Sequence, residues 1–597
     1  MAAQISCLFA SPGAYLPVIE GPKLKDSELA RDVMRRNDAA ARAKPGVILL
    51  AGLADASYEA ISSHFAPVLK ARLERVKNLS DVDRLYRQDP HHQDLLFKRP
   101  PLQWGRDRIG IGLLKALRGR SRIVFSDNSS PTDNVSPTSD HVVICEQNDG
   151  LSQVIAANYA FALGAGLHLI PGIDGPSSER ILDSFDALYA EQQTSQVQAL
   201  KNLKALLREH CGPLPIAPSG SVTFVTRGLP YGFAFPEFRS THLLSGPGIG
   251  MAVINGFAAE QPKTHGVSVA ALVDPSNATA AEIAAAKTLL SSQLFLRSHE
   301  GSGASVRAVA EMIELFPYDL LIIPTYCGDV SGYRQTYEFA DSEGVARKLV
   351  VDVVMGFART DQKDMSSVRQ FVNFVALDGV DWRALKKAGK PDLDRVRLDF
   401  IAGSDHQREP VKSEVIAHIA GSTALKMYDQ NYVPLPRPIA DRGTPIVINN
   451  ACGSWRRLVD NGAFGDARAY IGTLFPVAAD EAQEVVVKLL GKYFGQSLAG
   501  ALWSAQREVY GDDLPRPYII VGVYPQRLRA SQHDIPKYIA SRLTRALGRW
   551  KIALKNLDSR DEKTSQAYQD IIQFYKHEIA AIKRRWLDPA SGVSGKQ

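Results

Sequence analysis

The chain has 597 residues, 45% of them hydrophobic and 22% charged, which excludes a disordered protein and leaves room for two to four domains with a large core. Its five cysteines, Cys7, Cys145, Cys211, Cys327 and Cys452, show no CxxC or other metal-ligand spacing, so a zinc or cluster site is not expected and free thiols in a reducing compartment are. The formal charge of +6 is uneven: from Arg527 onward 15 Lys/Arg stand against 7 Asp/Glu, so the basicity belongs to the tail.

The opening "MAAQISCLFASPGAYLPVIEG" lacks the basic start and long apolar core of a secretory signal. No run of about 18 apolar residues offers a membrane span, so a cytoplasmic protein is expected. From there to about residue 215, strand-like runs alternate with helical ones. "GVILLAGL", "SRIVFS", "HVVICE" and "LHLIPGI" read as strands, and "ALYAEQQTSQVQALKNLKALLREH" as one long helix. "SDNSSPTDNVSPTSD" reads as an exposed loop, and no internal repeat is visible.

"CGPLPIAPSGS", Cys211 to Ser221, is the best linker candidate. Beyond it "SVTFVTRG", "GVSVAALV", "SQLFLRS", "DLLIIPT", "TPIVINN" and "PYIIVGVY" read as buried strands. Helical stretches such as "SVRAVAEMIELF" and "EAQEVVVKLLGKYF" separate several of them. This alternation predicts a largely parallel sheet with helices on both faces. Residues 347–417 break the rhythm and read as an insertion. The expected organisation is an N-terminal α/β domain over 1–215, a second α/β domain over 216–530 and a basic helical tail over 531–597.

In the tail, Ile539, Leu543, Ala546, Trp550, Leu554 and Leu557 recur at helical spacing, with Arg542, Arg545, Arg549 and Lys551 on other faces. Tyr568, Ile571, Tyr575, Ile579, Ile582 and Trp586 repeat the pattern. Two amphipathic helices packed on the sheet domain are expected. A nucleic-acid or partner surface on their basic faces is the alternative.

Several chemistries find no support: there is no GxxxxGK[ST], no HExxH and no GxSxG. "GPGIG", Gly246 to Gly250, departs from the dinucleotide fingerprint and reads as a turn. What remains is "GTPIVINNACGSW", where an apolar strand runs into Ala451, Cys452 and Gly453. A core cysteine would lie within the run. Cys452 stands where the backbone turns, at the rim where α/β sheets bind ligands.

That stretch, followed by "ARAYIGTLFPVAADEAQEVVVKLLGKYFGQSLAGALWSAQ" and "RPYIIVGV", resembles the catalytic half of CHAT-domain proteins, cysteine peptidases of the caspase and separase clan. The preceding "STALKMYDQNYVPL" fits the family as well. The resemblance spans Leu229 to Val523 and is strongest over 423–523. It implies a caspase-like, mostly parallel sheet and a Cys452 thiolate that attacks a peptide carbonyl.

The family's general base, a histidine after the preceding buried strand, should fall in "FPYDLLIIPTYCGDVSGYRQTYEFADSEG". That slot holds Tyr326, followed by Cys327, Gly328 and Asp329. Tyrosine, with a pKa near 10, does not act as a base at neutral pH. A natural pseudopeptidase, a form disabled by substitution and a peptidase with another base all fit this departure. Of the histidines that might substitute, His418 in "EVIAHIAGS" is nearest in sequence to Cys452, ahead of His265 and His299.

By the resemblance, the backbone N–H of Cys452 and one from the Tyr326–Gly328 loop form the oxyanion hole, with Gly453 shaping the turn. Asp329, Asp480 and Glu481 are candidates for receiving a basic substrate side chain, although Asp480 and Glu481 open a helix and capping is their default role. The implied function is an endopeptidase acting on a partner protein, in bacterial defence or regulated cell death, without cofactor or metal. Residues 1–215 would then sense an activating partner or ligand, or dock the substrate. The alternative is a non-catalytic binding scaffold for a protein or nucleic acid.

Overall fold

The computed structural model describes the whole chain except residues 22–25, 64, 66, 89–98, 127–131, 133, 149–150, 189–192, 218–219, 246–247, 262–265, 277–279, 325–329, 361–363, 389–391, 404–407, 418, 420–421, 456–463, 513, 532–533, 558–560 and 588–597. In chain order the strands are β1 (Ile48–Ala51), β2 (Leu73–Val76), β3 (Leu102–Gly105), β4 (Ile123–Ser126), β5 (Asn134–Val135), β6 (His141–Glu146), β7 (Gly166–Ile170), β8 (Ser221–Thr226), β9 (Arg239–Leu244), β10 (Val269–Asp274), β11 (Phe295–Glu300) and β12 (Leu320–Ile323). They continue as β13 (Gly332–Ala340), β14 (Ala346–Ala358), β15 (Ser366–Leu377), β16 (Val380–Asp381), β17 (Lys412–Ile416), β18 (Leu425–Lys426), β19 (Asn431–Tyr432), β20 (Ile446–Asn449), β21 (Ala469–Thr473) and β22 (Tyr518–Gly522).

Eleven of these form one mixed sheet in the order β11-β10-β12-β20-β21-β22-β9-β8-β6-β7-β5. The apolar runs are continuous because these strands are covered on both faces. In β20, Val447 packs in one core while Ile446 and Ile448 pack in the other, as the two-residue period of a strand requires. Helices Ala281–Leu290, Ala479–Leu490 and Leu498–Tyr510 cover the Ile446/Ile448 face, and helix Val306–Leu315 lies on the opposite one. The latter helix starts where Ser305 Oγ accepts from the Ala308 N–H at 3.4 Å, and stops just before Pro317.

The boundary expected at residue 215 does not separate two sheets. β6, from the first segment, pairs with β8, from the second, over five residue pairs. One core runs across the join, gathering Val142, Ile144, Phe224, Leu321 and Val447. The Pro/Gly/Ser-rich stretch connects neighbouring elements of one sheet, so local composition reported a turn and not a domain border.

A regularity absent from the sequence appears in the topology. In the second half the four parallel strands β10, β11, β12 and β20 lie in spatial order second-first-third-fourth. In the first half β6, β7, β8 and β9 repeat that order, also in parallel. The halves meet where β21 and β22 pair antiparallel. The tip of β20 leads to Cys452; three residues past the end of β9 the chain has Pro247, in the Gly-Pro-Gly run that was read as a turn.

The insertion is longer than 347–417. It is an antiparallel sheet in the order β16-β15-β14-β13-β17, with β18 and β19 attached through β14, and extends from Gly332 to Tyr432. Consequently "GYRQTYEFA" is strand and not loop: Gly332–Ala340 is β13, paired with β14 over eight residue pairs. The Ser/Pro/Asp-rich loop contains the short strand β5, and the long helix predicted over 187–210 is two elements, Gly175–Ala187 and Gln193–Cys211.

The tail folds as two helices, Ile535–Lys555 and Glu562–Ile582, packed on the sheet. Ile539, Leu543, Ala546 and Tyr575 are fully buried in the core that also holds Val447, and each large aliphatic there contributes about 1.5–3 kcal/mol. Arg542 is not on a free basic face: it reaches Asp319 at 3.6 Å and the Ala440 carbonyl at 3.0 Å. Arg549 pairs with Asp441, while Trp586, expected to pack, is 47% exposed. Among the described residues no helix is long and apolar enough to cross a membrane.

Candidate functional site

β20 lies between β12 and β21, parallel to both, so the loops leaving β12 and β20 emerge side by side at the carboxyl edge. The Asn450 N–H donates to Ile323 O at 3.0 Å, which joins the two tips directly. The nucleophile candidate therefore follows, by three residues, a strand end that lies against the end of β12. Residues Tyr326, Cys327, Gly328 and Asp329 lie outside the described residues, as does His418.

The turn carrying Cys452 is held by a closed hydrogen-bond network. Asn449 Nδ2 donates to the Tyr470 hydroxyl at 2.8 Å, which donates in turn to Ser454 O at 2.8 Å. Asn449 Oδ1 accepts from the Ala451 N–H at 3.1 Å. Ser454 Oγ donates to Asn449 O at 2.7 Å and accepts from the Thr473 N–H at 3.0 Å, while Thr473 Oγ1 donates to Ala451 O at 2.9 Å. Gly453 takes the left-handed conformation, φ 58°, that completes the turn. Gly472 is equally constrained, since a Cβ there would stand 2.9 Å from Ser454 Oγ and from the Trp455 nitrogen. Trp455 is buried and meets Phe185 edge-on, with ring centroids 6.0 Å apart.

Cys452 is partly exposed, whereas Cys7, Cys145 and Cys211 are buried. Burial pushes the Cys7 and Cys211 thiols up to about 12 and the Cys145 thiol higher still, so those three are inert at neutral pH.

Around the turn, the Tyr518 phenol is held well above its ordinary value. Burial is the main cause, and the neighbouring Tyr510, Glu282, Cys452 and Glu481 add to it. Tyr518 begins β22 opposite Thr473, so Cys452 and Glu481 both lie near one buried phenol at this edge. Glu481 also raises Tyr510, second only to burial. Asp480 is exposed and accepts from the Glu481 N–H at 3.0 Å; helix Ala479–Leu490 has Ala478 as its N-cap, without a side-chain cap. The two acids therefore favour the helix through its dipole and do not cap it through hydrogen bonds.

The sequence reading missed Asn450. Its side chain is fully buried two residues before Cys452, and neither its oxygen nor its nitrogen has a hydrogen-bond partner among the described residues. A buried unsatisfied amide costs about 1–3 kcal/mol, so Asn450 places a local stability penalty beside the candidate nucleophile. Two asparagines ending an apolar strand were the available signal: Asn449 is satisfied within the turn, and Asn450 is not. His299 is occupied elsewhere, its Nδ1 against Gly303 O at 3.0 Å. No protein-family model matches the chain, and a search of curated proteins returns no match.

Proposed function

We propose that the protein is a cysteine endopeptidase of the CHAT type, with Cys452 as its nucleophile. The observation that carries this reading is the placement of Cys452: a partly exposed thiol on a hydrogen-bonded turn at the carboxyl tip of a central parallel strand, next to the tip of β12. Covalent catalysis needs such a fixed nucleophile, a base within reach and backbone N–H groups for the oxyanion. In this reading Cys452 Sγ adds to the scissile carbonyl, the amine leaves with a proton from the base, and water then releases the acyl group. The base belongs to the loop after β12 or to the His418 segment. Glu481 gives the cleft an acidic wall that suits a basic side chain. Residues 1–215, which contribute β5, β6 and β7 to the shared sheet, have a regulatory role in this reading, and the target is a protein in a defence or cell-death setting.

A second reading, a binding scaffold without turnover, is favoured by one feature: Tyr326 stands where the resemblance expects histidine. Timed iodoacetamide labelling read by peptide mass spectrometry tests the site. Cys452 should be modified well ahead of Cys7, Cys145 and Cys211. Faster labelling of any of those three would remove the basis of the assignment.

A further inference from the structure

A cavity of about 550 Å³ lies near the amino terminus, outside the Cys452 site. Its walls are mostly aliphatic, with Ile5, Val33, Ala40, Leu49 and Ile254 among them, and Val47 stands exposed at its rim. Volume and lining are those of sites for drug-sized molecules: apolar walls with a few fixed polar groups. Water gains little in such a space, because it needs two to four polar partners.

The polar groups specify the ligand's charge. Arg36, nine-tenths buried, donates from Nε to Asp32 at 3.0 Å and from Nη1 to the Glu20 carbonyl. The Glu20 carboxylate accepts from the Ile249 and Gly250 N–H groups at 3.0 and 3.1 Å, at the start of helix Ile249–Ala259. Each charge is already compensated, so an ionic head group would enter unpaired, at the desolvation cost of a buried charge. A neutral acceptor faces no such cost and meets the Arg36 guanidinium.

The wall is also connected to Asp466, which follows Cys452 by 14 residues in the chain. Helix Asp26–Ala43 supplies Val33, Arg36 and Ala40 to the cavity, and from its other positions Arg35 pairs with Asp466 at 3.8 Å. Arg42 donates to Asn255 Oδ1 at 2.8 Å, and Asn255 Nδ2 donates to Asp466 O at 3.5 Å. Asp466 lies between the Cys452 turn and β21.

We propose that this cavity binds a neutral, largely aliphatic small molecule carrying one hydrogen-bond acceptor, and that its occupancy is felt at Cys452 through helix Asp26–Ala43 and Asp466. The binding site stands independently of the peptidase reading; only the regulatory meaning rests on it.

The test titrates the full chain with the neutral fluorophore N-phenyl-1-naphthylamine and displaces it with decanamide, decanoate or decylammonium. Saturable one-site binding is expected, with decanamide at least tenfold stronger than either ion. Ala40→Trp, which fills the cavity, and Val47→Trp, which obstructs the exposed rim without touching the core, should each weaken binding at least tenfold while circular dichroism stays unchanged. Absence of saturable binding, or binding unaffected in folded Val47→Trp, overturns the site. Decanoate equal to decanamide overturns the neutral head group. Saturating decanamide should change the Cys452 iodoacetamide rate at least twofold, and an unchanged rate with binding intact overturns the link to Cys452.

Discussion

Replacing Asn450 by leucine should make the protein more stable. The side chain is fully buried and both its polar atoms lack partners among the described residues, so the folded state carries the desolvation penalty of an amide, about 1–3 kcal/mol. Leucine has the same branching at Cγ and needs no partner, so Asn450→Leu should raise unfolding stability by about 1–3 kcal/mol. Asn449→Leu is the matched control one residue away. It deletes the bonds to Tyr470 and to the Ala451 N–H and strands the latter in the core, which should cost about 2–4 kcal/mol. Denaturant midpoints of the two variants should therefore move in opposite directions from the parent. A destabilised Asn450→Leu, matching Asn449→Leu, would refute the reasoning, because it would mean that the amide is satisfied in the folded protein.

Three further outcomes follow from the packing. Gly472→Ala should disrupt the nucleophile turn, because its Cβ would meet Ser454 and the Trp455 backbone at 2.9 Å; an overpacking loss of about 1–3 kcal/mol and slower Cys452 labelling are expected, and parent-like behaviour in both would contradict the turn geometry. His141 and His242 are held neutral by burial, which pushes them down to about 3 and about 4. Their contribution is fully present above about pH 6.5 and is lost on acidification, about 1.4 kcal/mol per pH unit for each, because the unfolded chain takes up the protons first. Denaturation midpoints should fall steadily between pH 6.5 and 5, and a flat profile would contradict their burial. Deleting 531–597 strips Ile539, Leu543 and Tyr575 from the main core, so the truncated chain should lose most of its cooperative stability; an unchanged melting temperature would show that the helices do not pack there.

The strands that were easiest to read in the sequence are those whose faces are both covered. "HVVICE", "SVTFVTRG", "DLLIIPT" and "TPIVINN" each became a central strand, since a doubly buried strand needs an unbroken apolar run. β9, "RSTHLL", was missed because its polar start, Arg239 to His242, hides a strand whose buried Thr241 and His242 are satisfied by Thr223 and Ile520 O, partners a local pattern does not contain. The same limit explains the mistaken boundary at 215: pairing of β6 with β8 is a long-range contact, and the linker-like composition between them is local. The duplicated strand order left no visible sequence repeat, because topology is fixed by burial pattern and many sequences meet it. At the candidate site, the placement of Cys452 on a turn past a strand end was legible from the apolar run before it. Asn450 was not, since an amide's lack of partners becomes apparent only once its neighbours are placed. The tail's apolar stripe was readable, but the partners of Arg542 were not, because Asp319 and Ala440 approach it from distant parts of the chain.

The most direct test of Cys452 as a peptidase nucleophile is its capture rate by a peptidyl acyloxymethyl ketone in the parent and in Tyr326→His, with the adduct located by mass spectrometry. A histidine at 326, with a pKa near 6.5, would take the thiol proton at neutral pH, and general-base assistance of this kind is worth about 10²–10⁴-fold. The account predicts an adduct on Cys452 in both proteins, a rate increase of that order in Tyr326→His, and no adduct when Cys452→Ala is added. An adduct on another cysteine, or an unchanged rate with Cys452 accessible to iodoacetamide, would contradict it.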